Sequence, residues 1–159
     1  VGKSTFINSF AGRACAKTGN RPGVTRGNQW IRLSREVELL DTPGILWPRF
    51  EDQQVGVRLA LLGSVKDDIL DTQALALELL RFAGERYPES LADRYQLSAE
   101  ELKGEPAFLL GRIAERRSCL LKGNEFDYAR AAKLLLDDFR SGRLGRITLE
   151  LPGQDNFNG

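Results

Sequence analysis

Val1-Gly2-Lys3-Ser4-Thr5-Phe6-Ile7-Asn8-Ser9-Phe10-Ala11 opens the chain, and Leu39-Leu40-Asp41-Thr42-Pro43-Gly44 lies further on. In the first stretch Phe6, Ile7 and Phe10 fall on a helical spacing, and Gly12 is a plausible stop. Gly-Lys-Ser therefore stands where a helix begins. Backbone N–H groups at such a start point at phosphate oxygens, and the helix dipole favours an anion there. Lys3 is placed to reach β- and γ-phosphates, Ser4 to ligate Mg²⁺, and Thr5 to sit near the α-phosphate. The complete loop pattern is G-x-x-x-x-G-K-[ST], of which the chain shows Gly2-Lys3-Ser4. In the second stretch the apolar run Val37, Leu39, Leu40 reads as a strand ending in Asp41. A carboxylate at that position can hold Mg²⁺, usually through water, and the Gly44 N–H can meet the γ-phosphate. Taken singly, Gly-Lys-Ser fits an ordinary helix N-terminus, and Asp-Thr-Pro-Gly fits a strand-end turn. Both together, in this order, are the phosphate and magnesium elements of a GTP-binding domain.

The segment between the motifs agrees. Residues 16–28 form a polar loop with Pro22-Gly23 as turn chemistry. Thr25 in that loop can give its hydroxyl to Mg²⁺ when the γ-phosphate orders the loop. Gln29–Leu33 reads as a strand, and Val37–Leu40 as its hairpin partner across Ser34-Arg35-Glu36. Two expected features are missing. Many small GTPases carry a glutamine after the second motif's glycine to orient water, whereas this chain has Ile45. No guanine-reading Asn-Lys-x-Asp follows. Either the chain is not a GTPase, or the guanine-reading part lies upstream of Val1.

One helix and two strands are too little for a doubly wound sheet, which needs several strands covered on both faces. The rest of the chain does not supply more strands. Residues 53–64, 71–87 and 106–117 all show helical spacing. Leu75, Leu79 and Phe82 form one stripe, with Asp71 suited to the N-cap. The last helix starts at a cap, Asp127, carries Tyr128, Ala132, Leu135 and Phe139 as its apolar stripe, and stops at Gly142. The fold class expected is therefore α/β: a partial P-loop domain over 1–52, then a small all-α domain over 53–151. A short extended segment is expected at 145–151, and 152–159 as a tail.

Bulk composition narrows the partners. The chain has 159 residues, 42% hydrophobic and 28% charged, with net charge +1, so a nucleic-acid surface has to be a local patch. No apolar run is long enough to cross a membrane. The two cysteines, Cys15 and Cys119, lie far apart and read as free thiols. The chain has no histidine, which removes the usual general base from this stretch. Arg112, Arg116 and Arg117 fall on or beside one helical face. Arg130, Lys133 and Arg140 lie along the next helix, followed by Arg143 and Arg146. These faces could contact phosphates. The interleaved Glu115, Asp137 and Asp138 equally fit a solvated face.

The run Ala16-Lys17-Thr18-Gly19-Asn20-Arg21-Pro22-Gly23-Val24-Thr25-Arg26 resembles the switch loop of the bacterial ribosome biogenesis GTPase family RbgA, also called YlqF. So does the run from Leu39 through Asp41-Thr42-Pro43-Gly44-Ile45-Leu46-Trp47-Pro48 to Asp52. Residues 83–95, Arg117-Ser118-Cys119-Leu120 and Asp127-Tyr128 resemble that family's helical C-terminal domain. The family is circularly permuted, its guanine-reading motifs preceding the phosphate loop, so the resemblance places the missing motif before Val1. It implies phosphate-loop roles for Gly2, Lys3, Ser4 and Thr5, the switch threonine at Thr25, and the Mg²⁺ and γ-phosphate element at Asp41 and Gly44. Lys3 is then the catalytic charge in this chain, and Ser4, Thr25 and Asp41 the metal group. An apolar residue at the position of Ile45 fits the family. Its catalytic histidine and the phosphate-loop asparagine linked to K⁺ would both precede Val1. GTP and Mg²⁺ are the implied cofactors, and the large ribosomal subunit with its rRNA the implied partner. A cytoplasmic monomer, without a membrane, is expected. Residues 1–159 alone are expected to bind GTP poorly. A P-loop ATPase or nucleotide kinase, or a non-catalytic RNA-binding module, remain the alternatives.

Overall fold

The structure is a computed structural model that describes residues 2–19, 27–44, 52–65 and 71–150. The chain divides into two compact units, Val1–Asp68 and Ile69–Gly159.

In the first unit, α1 (Lys3–Ala11) is bounded by two glycines in the left-handed region, Gly2 at φ 83° and Gly12 at φ 63°. A side chain at either would be strained, which is why glycine ends the helix on both sides. Strands β1 (Gln29–Arg32) and β2 (Glu38–Asp41) pair antiparallel, with Gln29 opposite Asp41 and Ile31 opposite Leu39. The hairpin turn is closed by Ser34, whose Oγ accepts the amides of Glu36 and Val37 at 3.2 and 3.1 Å. Alternation along the strands sends Ile31 and Asp41 inward and Trp30 and Leu40 outward. Ile31 packs with Ile7 of α1 and with Ala16, flanked by Cys15, Leu33 and Leu39. The Asn8 side chain braces this core, accepting the Cys15 and Ala16 amides and donating to the Ala16 carbonyl at 2.8 Å. Of the three apolar residues expected to stripe α1, only Ile7 is buried. Phe6 and Phe10 stack on each other on the outside, ring centroids 6.0 Å apart. Helix α2 (Gln53–Leu61), capped by Asp52, also belongs to this unit rather than to the helical domain expected over 53–151.

The regular elements among the second unit's described residues are helices: α3 (Thr72–Arg86), α4 (Pro88–Tyr95), α5 (Pro106–Arg116) and α6 (Tyr128–Arg140), with a 3₁₀ turn at Glu101–Lys103. Helix α3 is central, packing against α4, α5 and α6, and α5 also meets α6. The expected caps are present. Asp71 Oδ1 accepts the Gln73 and Ala74 amides, both at 3.0 Å, and Asp127 Oδ1 accepts the Arg130 amide at 2.9 Å. Each such cap is worth about 1 kcal/mol. Leu79, Leu80, Leu91, Ile113 and Leu135 are completely buried. Each contributes roughly 1.5–3 kcal/mol of transfer free energy. Tyr128, assigned to the stripe of α6 by its spacing, is instead exposed and meets Phe126 edge-on at 6.2 Å. Leu120 and Phe126 form an isolated antiparallel bridge between α5 and α6, turned through Gly123 and Asn124 at positive φ. Residues 145–150, expected to be extended, join no strand among the described residues. Tyr87 Oη donates to the Thr148 carbonyl at 3.1 Å and accepts its amide at 3.2 Å. The tail 152–159 lies outside the described residues.

Candidate phosphate and metal site

The hairpin and α1 meet where the motifs fall. Helix α1 covers the inner face of β1 and β2, so its first turn is brought to the end of β2, where Asp41 stands. Asp41 is completely buried. The Lys3 ammonium ion-pairs with Asp41 Oδ1. Ser4 Oγ donates to Asp41 Oδ2 at 3.3 Å, and Gln29 Nε2 donates to the same oxygen at 3.3 Å. The two motifs thus share one point in space although Ser4 and Asp41 are 37 residues apart in the chain.

The helix start is also configured for an anion. No side chain caps α1, and its first turn carries no acidic residue. Its first intrahelical bond runs from the Phe6 amide to the Gly2 carbonyl at 2.8 Å. The amides preceding Phe6 belong to the orphan donors of a helix N-terminus. Among the described residues nothing lies within 4 Å of where a Gly44 side chain would begin. The donor set suits a hydrated hard cation. A carboxylate and a hydroxyl sit together, and no group of three or more His, Cys, Asp or Glu forms a cage among the described residues. Mg²⁺ is commonly held in that way, by one or two protein oxygens with water and substrate phosphate completing the shell. Thr25 and Ile45 lie outside the described residues.

Gln29 is the site residue that the motifs do not name. Its signal is positional. Counting back from the hairpin turn puts it directly across from Asp41.

The basic faces of the helical unit divide into two kinds. Arg112 pairs with Glu101 and with Glu115, and Arg116 reaches the same Glu101 carboxylate at 3.5 Å. The Ser98 amide and Arg112 hold the Glu101 carboxyl down to about 2. Arg117 donates to the Arg94 carbonyl at 2.7 Å and lies over the Tyr95 ring, 5.3 Å from its centroid. Asp138, read from the sequence as one of the acids of a solvated face, is a buried hub. It accepts Arg94 Nε at 2.7 Å, Arg143 Nε at 2.6 Å and Tyr95 Oη at 3.1 Å. Burial alone would raise the Asp138 carboxyl, but these hydrogen bonds hold it below the ordinary value. Burial and the adjacent Asp138 raise the Tyr95 hydroxyl. Arg112 and Arg117 are therefore committed to the fold. Arg130 and Lys133 are exposed on α6.

A family model described as "50S ribosome-binding GTPase" matches residues 1–100, which is most of the chain and all of the site just described.

The chain belongs to the 50S ribosome-binding GTPase family.

Its relatives agree with the sequence resemblance. Over 152 residues it is 50% identical to a Bacillus cereus protein named Ribosome biogenesis GTPase A, covering 96% of this chain and 51% of that one. The Thermotoga maritima protein of the same name is 31% identical over 154 residues, covering 96% of this chain and 53% of the relative. The chain thus spans about half the length of these relatives. Two solved YlqF structures have the same fold at TM-score 0.60. One is GDP-bound, 28% identical, covering 95% of this chain and 56% of that one. The other is GNP-bound YlqF from T. maritima, 29% identical, covering 96% of this chain and 55% of that one. The 50S ribosome-binding GTPase family thus accounts for the expected fold class, a partial P-loop α/β domain followed by helices. Among the described residues no helix is long and apolar enough to cross a membrane.

Proposed function

We propose that the protein to which this chain belongs binds and hydrolyses GTP and acts in late assembly of the large ribosomal subunit. The observation that carries the reading is the convergence of Lys3, Ser4 and buried Asp41 at the start of α1. Gly2, Lys3, Ser4 and Thr5 present backbone N–H groups to the phosphates, and the Gly44 amide meets the γ-phosphate. Lys3 releases Asp41 and places its ammonium on the β- and γ-phosphates, where negative charge develops as water attacks. Ser4, Asp41 and Thr25 form the group for Mg²⁺, which when bound neutralises phosphate charge. Guanine reading, the group that orients water and any K⁺ site belong, in the permuted order, to the part of the protein before the phosphate loop.

The helical unit from α3 onward contacts rRNA and couples nucleotide state to the subunit. The protein works as a cytoplasmic monomer. The names of the relatives, the YlqF fold and the exposed Arg130 and Lys133 support the ribosome-contact reading.

The test is Lys3→Ala in the full-length protein. Removing a charge that acts mainly in the transition state is expected to lower turnover by on the order of 10²–10³. Unchanged turnover would refute the site. Competition between GTP and ATP for the same protein separates a GTPase from a P-loop ATPase or kinase.

A further inference from the structure

Gln29 begins β1, and its register partner is Asp41 at the end of β2. Directly opposed residues of an antiparallel pair project from the same face. Here that face is the one covered by α1, since Ile31, two residues on, packs against Ile7. The geometry brings the Gln29 amide to Asp41, with Nε2 donating to Oδ2 at 3.3 Å. Among the described residues, Lys3 at Oδ1 and Ser4 at Oδ2 also reach this carboxylate. Asp41 is completely buried. A buried carboxylate keeps its orientation only while fixed donors hold it.

These donors differ in what else they must do. On the reading proposed above, the Lys3 ammonium moves to the phosphates and the Ser4 oxygen turns to Mg²⁺. A serine oxygen ligates a metal through a lone pair and keeps its proton, so Ser4 still has a donor for Asp41, but its position then follows the metal. Gln29 is neutral, has two N–H donors and has no part to play toward phosphate. Its backbone is set by the hairpin ladder, independently of the loop.

We propose that Gln29 is a positioning residue for the magnesium and nucleotide site. Its amide keeps the Asp41 carboxylate aimed while Lys3 leaves it for the phosphates and Ser4 shifts onto Mg²⁺. The proposal rests on the GTP·Mg²⁺ reading of the site. Outer-shell partners of metal ligands typically contribute 10- to 100-fold to metal affinity.

The experiment uses the full-length protein and a fluorescent N-methylanthraniloyl derivative of GDP, with Mg²⁺ titrated from zero in EDTA-buffered solution. Gln29→Leu removes the amide at nearly constant volume, and Gln29→Asn keeps an amide too short to reach. Both are expected to raise the Mg²⁺ concentration at half-maximal effect by about 10-fold or more. Nucleotide affinity without Mg²⁺ is expected to stay within about twofold of the parent, and excess Mg²⁺ to restore turnover. A parent-like Mg²⁺ midpoint in either folded variant overturns the proposal. So does an equal loss with and without Mg²⁺, which marks a purely structural role. A parent protein that binds the GDP derivative with no Mg²⁺ dependence defeats the metal-site reading itself, a different result from a variant that matches a Mg²⁺-dependent parent.

Discussion

Asp138→Ala is expected to loosen the helical unit far more than its place among surface acids suggests. The carboxylate is buried and accepts hydrogen bonds from Arg94 on α4, from Tyr95 and from Arg143 beyond α6. Truncation leaves the Arg94 guanidinium, 29% exposed, facing a cavity, and strands the buried Tyr95 hydroxyl. Breaking a buried pair by removing one partner costs about 3–5 kcal/mol. Partial exposure of Arg94 and the 52% exposure of Arg143 put the expected value at the low end, about 3 kcal/mol. The assay is native-state hydrogen exchange followed by peptide mass spectrometry. Protection of α4 and α6 amides should fall by on the order of 10², the factor equivalent to that energy. Peptides from α1 and the hairpin serve as the internal control. The effect has a pH signature. The folded carboxyl lies below its ordinary 3.8, so its stabilisation is complete above that value and is lost as pH falls through the folded value. The gap between parent and variant should therefore narrow in acid. Replacing the buried polar set together, with Arg94→Met, Tyr95→Phe and Asp138→Leu, should recover much of the loss. Protection in Asp138→Ala within a factor of about 3 of the parent would refute the hub as a source of stability.

Other expectations follow from the same packing. Leu79→Ala, at a completely buried position on α3, is expected to cost about 2–5 kcal/mol, read as a lower urea midpoint. Neutralising Arg130 and Lys133 to Gln should weaken ribosomal-subunit binding and reduce the salt slope by about 0.7–0.9 per lost phosphate contact, with basal GTP turnover unchanged. A parent-like salt slope would make α6 a plain solvated surface.

What the chain announces by itself is local. Gly2 and Gly12 mark the ends of α1 because only glycine takes their backbone conformation without strain. Asp71 and Asp127 mark helix starts because a cap bonds amides two or three residues away. The strands around Ser34-Arg35-Glu36 and the order of the two motifs are likewise visible, since alternation and turn chemistry act over a few residues. Helix α4 carried such a signal too, with Pro88 at its first turn and Leu91 and Tyr95 four apart. Spacing alone cannot say what crosses a helix face. Asp138 looks like Asp137 in the sequence, yet Arg94 arrives at it from 44 residues away and makes one of them a buried hub. Arg112, Arg116 and Arg117 read as one basic stripe, and only packing drew Arg112 and Arg116 to Glu101 and Arg117 to the Arg94 carbonyl. Gln29 was one polar residue at a strand edge until register and the cover of α1 set it against Asp41. The division follows range: caps, turns and periodicity are fixed by neighbours along the chain. The burial and pairing of a charge depend instead on which distant segments the hydrophobic core draws together.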